Sequence, residues 1–342
     1  MAQPHGFDTS GATSPFESLG GVVRRRIGGL VVVAVLLATA ACSDDDPSSE
    51  PRRERRDDTT SESTPTTVKP TTRLIEAACG DADGVQALPP RPISGSEIVE
   101  ASGIAVVPGT DGPIWVHNDS GDRARVFAVD EGERVTVHDV PGAEATDWED
   151  MAAGPDGSLY VGDIGDNGEN RQSITVYRFP PPDPATDGPA GDVVTLTLTY
   201  ADGPHNAEAL MIDPVDQVLV VVTKADGPAG VYTAPLDVVG EAVLERVGEV
   251  DPRGVIGILG QVTGGDISPD GSAVLLRTYG GGLLYPRPAG QPLASAFTEP
   301  ACKVPTGLEV QGEAIAFTGD GGGYLTIGEG QDPVISGFTA SG

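Results

Sequence analysis

The chain has 342 residues, with 47 Gly and 30 Pro against 5% aromatic residues, a balance that favours many turns over long helices. Its formal net charge is −30, so its surface repels nucleic acid and anionic headgroups, attracts cations or basic partners, and excludes a nucleic-acid role. No Gly-x-Ser-x-Gly elbow, P-loop, His-Glu-x-x-His or Cys-x-x-Cys occurs, which leaves serine-triad, phosphate-loop and zinc chemistry without support.

Residues 1–42 read as an address. Arg24, Arg25 and Arg26 precede an apolar run too short to span a bilayer, and small residues lead into Cys42. The segment Leu37-Ala38-Thr39-Ala40-Ala41-Cys42 resembles a bacterial lipobox, with Thr39 where Leu is preferred. That resemblance implies lipidation (palmitate) at Cys42 and export to the outer face of the cytoplasmic membrane. A plain cleaved signal with an incidental Cys is the alternative. Residues 43–77, rich in Ser, Thr, Pro, Asp and Arg, bury nothing and read as a disordered tether. With Cys42 lipidated, Cys79 and Cys302 remain, and an even pair in an exported domain is expected to form a disulfide.

From residue 78 to 342 a pattern repeats. Ser102-Gly103-Ile104, Glu149-Asp150-Met151, Glu208-Ala209-Leu210, Gly265-Asp266-Ile267 and Glu313-Ala314-Ile315 recur about 50 residues apart. Each precedes a turn, a second apolar run ending in His117-Asn118-Asp119, Asp163-Ile164, Thr223-Lys224, Thr278-Tyr279 or Gly328-Glu329, and a third run. Fourth strands fit at 134–140, 193–200, 242–250 and 292–300. Apolar β-branched runs separated by Asp-Gly turns are the pattern of hairpins, and four strands at this period are that of a propeller. The expectation is an all-β, five-bladed β-propeller of four antiparallel strands per blade, six blades being the alternative. A strand from 85–93 would complete the last blade, leaving no open edge in a monomer.

Inner strands of a propeller line a central channel. Their starts gather Ser102, Glu149, Glu208 and Glu313, with Asp150 and Asp266 one residue further along their words. Converging carboxylates repel unless some are protonated or a cation intervenes, and Ca²⁺ accepts such oxygen ligands. The metal set read from sequence is therefore Ser102, Glu149, Glu208, Asp266 and Glu313. The bland reading is that these groups accept loop amides and hold the blades. Asn118, Asp119, Asp163, Asp166, Asn167, Lys224, Arg277 and Glu329 fall on the same face as candidate ligand-binding residues, or as ordinary turn chemistry and ion pairs. His117, His205 and Asp163 are the candidate general bases, against idle loop histidines.

The words Asp147-Trp148-Glu149-Asp150-Met151-Ala152 and Leu159-Tyr160-Val161-Gly162-Asp163-Ile164-Gly165 resemble those of bacterial β-propeller lipoproteins. The series Ser102, Glu149, Glu208, Glu313 is similar to that of the calcium-activated nucleotidases (apyrases), five-bladed propellers that hold Ca²⁺ in the central channel through such residues. Where that family supplies a further ligand from the fourth blade, this chain has Gly265-Asp266. Gly312-Glu313-Ala314-Ile315 resembles phytase-like esterase propellers. These resemblances imply a Ca²⁺-dependent hydrolase of phosphoesters, nucleotides or esters. The residues themselves, lacking a nucleophile motif, favour a surface module that binds a protein, glycan or small-molecule ligand and meets the membrane only through its lipid.

Overall fold

The computed structural model describes residues 69–80, 84–93 and 97–341. The signal, Cys42 and the tether up to residue 68 lie outside the described residues.

The chain enters through α1 (Pro70–Cys79), then β1 (Val85–Ala87) and β2 (Arg91–Pro92). The tether read from sequence runs to residue 77, but the helix begins seven residues earlier, with Pro70 in its first turn and Leu74 fully buried. Three apolar side chains in one turn and a half (Leu74, Ile75, Ala78) pack into the cluster that holds Leu284 and Phe317, which an all-polar composition argument overlooks.

A first meander comprises β3 (Ala101–Val106), β4 (Ile114–Asn118), β5 (Arg125–Val129) and β6 (Val135–Asp139). The second is β7 (Trp148–Ala153), β8 (Leu159–Asp163), β9 (Ile174–Phe179) and β10 (Val194–Tyr200). The third is β11 (Ala207–Asp213), β12 (Val218–Thr223), β13 (Ala229–Pro235) and β14 (Gly240–Val250). After the short helix α2 (Arg253–Ile256) come β15 (Val262–Ile267), β16 (Ala273–Thr278), β17 (Gly281–Pro286) and β18 (Cys302–Val304). Last come β19 (Gly312–Phe317), β20 (Gly323–Gly328) and β21 (Val334–Ala340).

Two features differ from isolated four-stranded sheets. β10 pairs in parallel with β14, Leu196 opposite Gly240, and fuses the second and third meanders into one eight-stranded sheet. β1 and β2 both pair antiparallel with β21, Val85 opposite Ala340 and Arg91 opposite Ile335, so the start of the described chain covers the edge at its end. The strand expected at 292–300 is a 3₁₀ turn over Leu293–Thr298, and β18 follows it. Pro292 cannot donate to a ladder, and the hydroxyl of Ser295 turns back to its carbonyl at 2.6 Å. Cys302, at the head of β18, is bonded to Cys79 at the end of α1.

The inner strands β3, β7, β11, β15 and β19 are each in contact with the next, and β19 is in contact with β3. Apolar clusters fill the spaces between successive meanders: Val161 and Trp115 between the first and second, Leu210 and Val176 between the second and third, Val220 and Leu276 between the third and fourth. Leu284 and Phe317 do so between fourth and last, and Ile327 and Phe127 between last and first. Strands covered on both faces read as continuous apolar runs, as in β12 (Val-Leu-Val-Val-Val-Thr), rather than alternating ones. The fold is all-β and propeller-like.

Candidate site at the channel mouth

Every inner strand carries a register shift at the same place, one residue from its start. The shifts fall between Ala101 and Gly103, Trp148 and Asp150, Ala207 and Ala209, Val262 and Gly264, and Gly312 and Ala314. A bulge adds one unpaired residue and re-aims its side chain. The bulged residues are Ser102, Glu149, Glu208, Thr263 and Glu313, all buried.

The fourth member is therefore Thr263, not the Gly265-Asp266 pair that the repeat words suggest. Gly264 and Gly265 offer no apolar anchor, so Ile267 takes the place of the anchor residue in the words, two positions too late. Two members of the ring are ties. The Ser102 hydroxyl donates to the Glu149 carbonyl at 2.5 Å, and that of Thr263 donates to the Gly312 carbonyl at 2.9 Å. Each joins one inner strand to the next.

The three glutamates meet further acids at the mouth. Asp119 follows β4, Asp147 precedes β7, and their carboxylate oxygens lie with one of Glu149 within 4.8 Å of one another. Space for this cluster comes from Gly165. A Cβ there would stand 2.3 Å from Glu149 Oε1 and 2.4 Å from Asp147 Oδ2. The loop bearing Asp147 is fixed by Asp163, which accepts the amides of Thr146 and Asp147, each at 3.2 Å, and pairs with Arg171 at 2.8 Å. Lys224 donates to Glu208 and, at 2.7 Å, to the Tyr279 hydroxyl.

Burial and like charge set the electrostatics. Burial, then Glu208, Asp119 and Asp147, push the Glu149 carboxyl up to about 11. Burial raises Glu208 to about 7 although Lys224 pulls the other way. Burial raises Glu313 to about 8, with Glu208 and Glu329 adding to the effect against a hydrogen bond from Gln311. Asp147 and Glu329 also rise, first through burial and then through Asp119. Burial works against the charge on Lys224, but Glu208 holds its ammonium above the usual range. The mouth is a desolvated acid cluster with one ammonium in it.

Other residues singled out from sequence are placed as follows. Glu329 sits at the mouth, its carboxylate taking the Gln311 side-chain amide at 2.7 Å. Asn118 is a loop clamp, accepting the amide of Val99 and donating to the Glu97 carbonyl and to Asp122. Asp166 binds the Arg171 amide at 2.7 Å, and its own amide binds Asn206, which reaches Asn167. Asp150 is fully buried and accepts the amides of Met151, Leu210 and Gly265. Asp266 accepts those of Ile267 and Phe317, each at 2.8 Å. Both are struts below the mouth rather than members of it.

Arg277 is also structural. It lies against Gly312 at the start of β19 and pairs with Glu309 at 2.6 Å, both groups being nearly inaccessible. His117 occupies the equivalent position on β4, opposite Gly103 as Arg277 is opposite Gly264. Its ring is fully buried edge-on to Trp148, and burial lowers its pKa. Neither it nor Asp163 is open to a substrate. His205 lies outside the mouth, its Nε2 3.0 Å from Asp202 Oδ1 and 2.9 Å from the Tyr232 hydroxyl.

Sequence reasoning missed Asp147, Tyr279, Thr263 and Gly165. A usable signal existed for the first: Asp147 is a second acid two residues from Glu149, in the word that opens β7.

The chain matches no protein-family model and no curated protein in sequence. Among solved structures it is similar to a gluconolactonase of Xanthomonas campestris, at 12% identity over 78% of this chain and 92% of that one, with a TM-score of 0.44. It is also similar to a luciferin-regenerating enzyme (13% identity, 71% and 78% covered, TM-score 0.39) and to a chain of a nidogen/laminin complex (14%, 67% and 72%, 0.40). Overlaps of this size say nothing about chemistry at the mouth.

Proposed function

We propose that the protein is an exported, lipid-anchored, five-bladed β-propeller that holds Ca²⁺ at its channel mouth through Asp119, Asp147 and Glu149, and binds an oxygen-bearing ligand there. The observation that carries the reading is the convergence of three carboxylates within 4.8 Å around the space kept open by Gly165. The nearest cations have other partners: Lys224 with Glu208, and Arg171 with Asp163. The donors are all hard oxygens, the set a Ca²⁺ ion takes, and an ion of that charge removes the mutual repulsion. Glu208 and Glu313 stand further round the same ring and would complete its charge. Five contacts among inner strands, with the last returning to the first, support five blades.

A second reading is a Ca²⁺-dependent hydrolase of esters or phosphoesters. One observation favours it: Glu208, poised near neutrality beside Lys224 and Tyr279, has the properties of a general base next to a cationic hydrogen-bond donor. The bound ion would polarise the substrate oxygen. Glu208 would accept a proton from water, and Lys224 would hold the anionic end of the substrate.

Calorimetric titration of the EDTA-stripped protein with Ca²⁺ tests the first reading. One site is expected, lost in Asp147→Asn and in Glu149→Gln; no heat and no retained metal would refute it. Hydrolysis of an ester and phosphoester panel in Ca²⁺, abolished in Glu208→Gln, would establish the second.

A further inference from the structure

Between β18 and β19 the chain passes through Leu308, Glu309 and Val310. Glu309 points inward with 7% of its side chain exposed, bound to Arg277 and to the Thr326 hydroxyl, each at 2.6 Å. With Glu309 pinned inward, its neighbours Leu308 and Val310 stand in water, 108% and 103% exposed. Beside them a groove of about 570 Å³ runs toward the outer edge of the last sheet, bordered by Leu88, Pro90, Pro333 and Val334.

The entry loop of the preceding meander carries a second apolar tip, with Ile258 92% exposed. The Ile258 loop borders the turn between β16 and β17, and the Leu308 loop leaves β18 beside the start of β17. The Gly280 amide donates to the Leu259 carbonyl at 2.9 Å, and a Cβ on Gly282 would meet the side chains of Val304 and Thr306. The Leu308 and Val310 side chains, held in water beside a buried ion pair, are preorganised anchors, and exposed apolar side chains that border a groove mark an interaction site.

Charge and orientation select the occupant. The chain carries −30, and Glu329 lies on the groove wall, so a basic partner is complementary. The described chain begins at the opposite end of the channel. Lys69 pairs with Asp270 in the turn between β15 and β16, and a Cβ on Gly321, between β19 and β20, would meet Thr71. The groove thus lies at the other end of the channel from residue 69, where the described chain begins.

We propose that this groove and its tips dock an extended segment of a partner protein in which apolar and basic residues alternate. The test is an anisotropy titration of the exported protein, in EDTA, with a short peptide alternating Val and Lys. Alternating Val–Glu and Ser–Lys peptides serve as controls. Saturable binding of Val–Lys is expected, with at least about tenfold weakening in the Leu308→Ser/Val310→Ser double variant and for both control peptides. Because both side chains are exposed, the variant should melt with the parent. The proposal is overturned by no binding of Val–Lys, by equal binding to the double variant, or by Ser–Lys binding as tightly, which would reduce the effect to bulk charge. Two further results also overturn it. One is sedimentation with phosphatidylglycerol vesicles that the double variant loses, which assigns the tips to a membrane. The other is a dimer that the double variant dissolves, which assigns them to a second copy.

Discussion

The carboxylate of Asp150 accepts the backbone amide of Gly265 at 3.1 Å, across 115 residues of chain and from one inner strand to another. The same oxygen takes the amide of Leu210 at 3.0 Å, so one buried side chain ties three inner strands together. The residues equivalent to Asp150 are Gly103, Ala209, Gly264 and Ala314, small enough to leave it the centre of the channel.

Asp150→Ala leaves three amides without their acceptor. Each unsatisfied buried donor costs about 1–3 kcal/mol, so a loss of at least about 3 kcal/mol is expected in urea unfolding. Asp150→Asn keeps one oxygen and should lose clearly less.

Glu309→Ala strands the buried guanidinium of Arg277, and loss of about 3–5 kcal/mol is expected by the same measurement. Replacing both partners, Arg277→Met with Glu309→Leu, should recover most of that loss.

Asp266 gives a signed pH dependence. Burial raises its carboxyl to about 7, against the pull of two amides that favour the charged form. A raised carboxyl binds more protons in the folded state than in the unfolded one. Its contribution is therefore complete below about pH 4 and is lost as pH rises toward about 7. Wild-type stability should fall across that window in EDTA, and the slope should flatten in Asp266→Asn. Equal slopes would place the carboxyl's titration elsewhere.

Ca²⁺ binding must displace protons from the mouth. Glu149, raised to about 11, holds one at neutral pH. Calorimetry at pH 7 in buffers of different ionisation enthalpy should show proton release, and affinity should rise with pH. Heats independent of the buffer would contradict this.

Gly165→Ala places a methyl group against Glu149 and Asp147. Ca²⁺ affinity should fall by at least about tenfold, a change of about 1.4 kcal/mol, with the fold retained.

Much of the architecture was legible because it rests on local chemistry. Asp-Gly turns between β-branched runs mark the hairpins, and the two cysteines within residues 78–342 give the Cys79–Cys302 bond. What escaped depends on pairing between strands. The bulge at Thr263 leaves no mark in a word whose apolar anchor is a glycine, and the parallel pairing of β10 with β14 joins the outer edges of two successive repeats, which no pattern within one repeat reveals. Among candidate ligands, residue type alone does not separate Asp119, which reaches the acid cluster, from Asp163, which holds its loop. His117 carries catalytic chemistry by type, but its place opposite Gly103 buries it.

The central claim is tested most directly by the melting temperature of the protein in EDTA and then in millimolar Ca²⁺. At a concentration 100 times the Kd, binding adds about 2.7 kcal/mol, a shift of a few degrees for a domain of this size. The account predicts that shift in the wild type and its disappearance in Glu149→Gln. Coincident curves for the wild type, with no metal retained on elemental analysis, would contradict it and leave the carboxylates of the mouth a structural role.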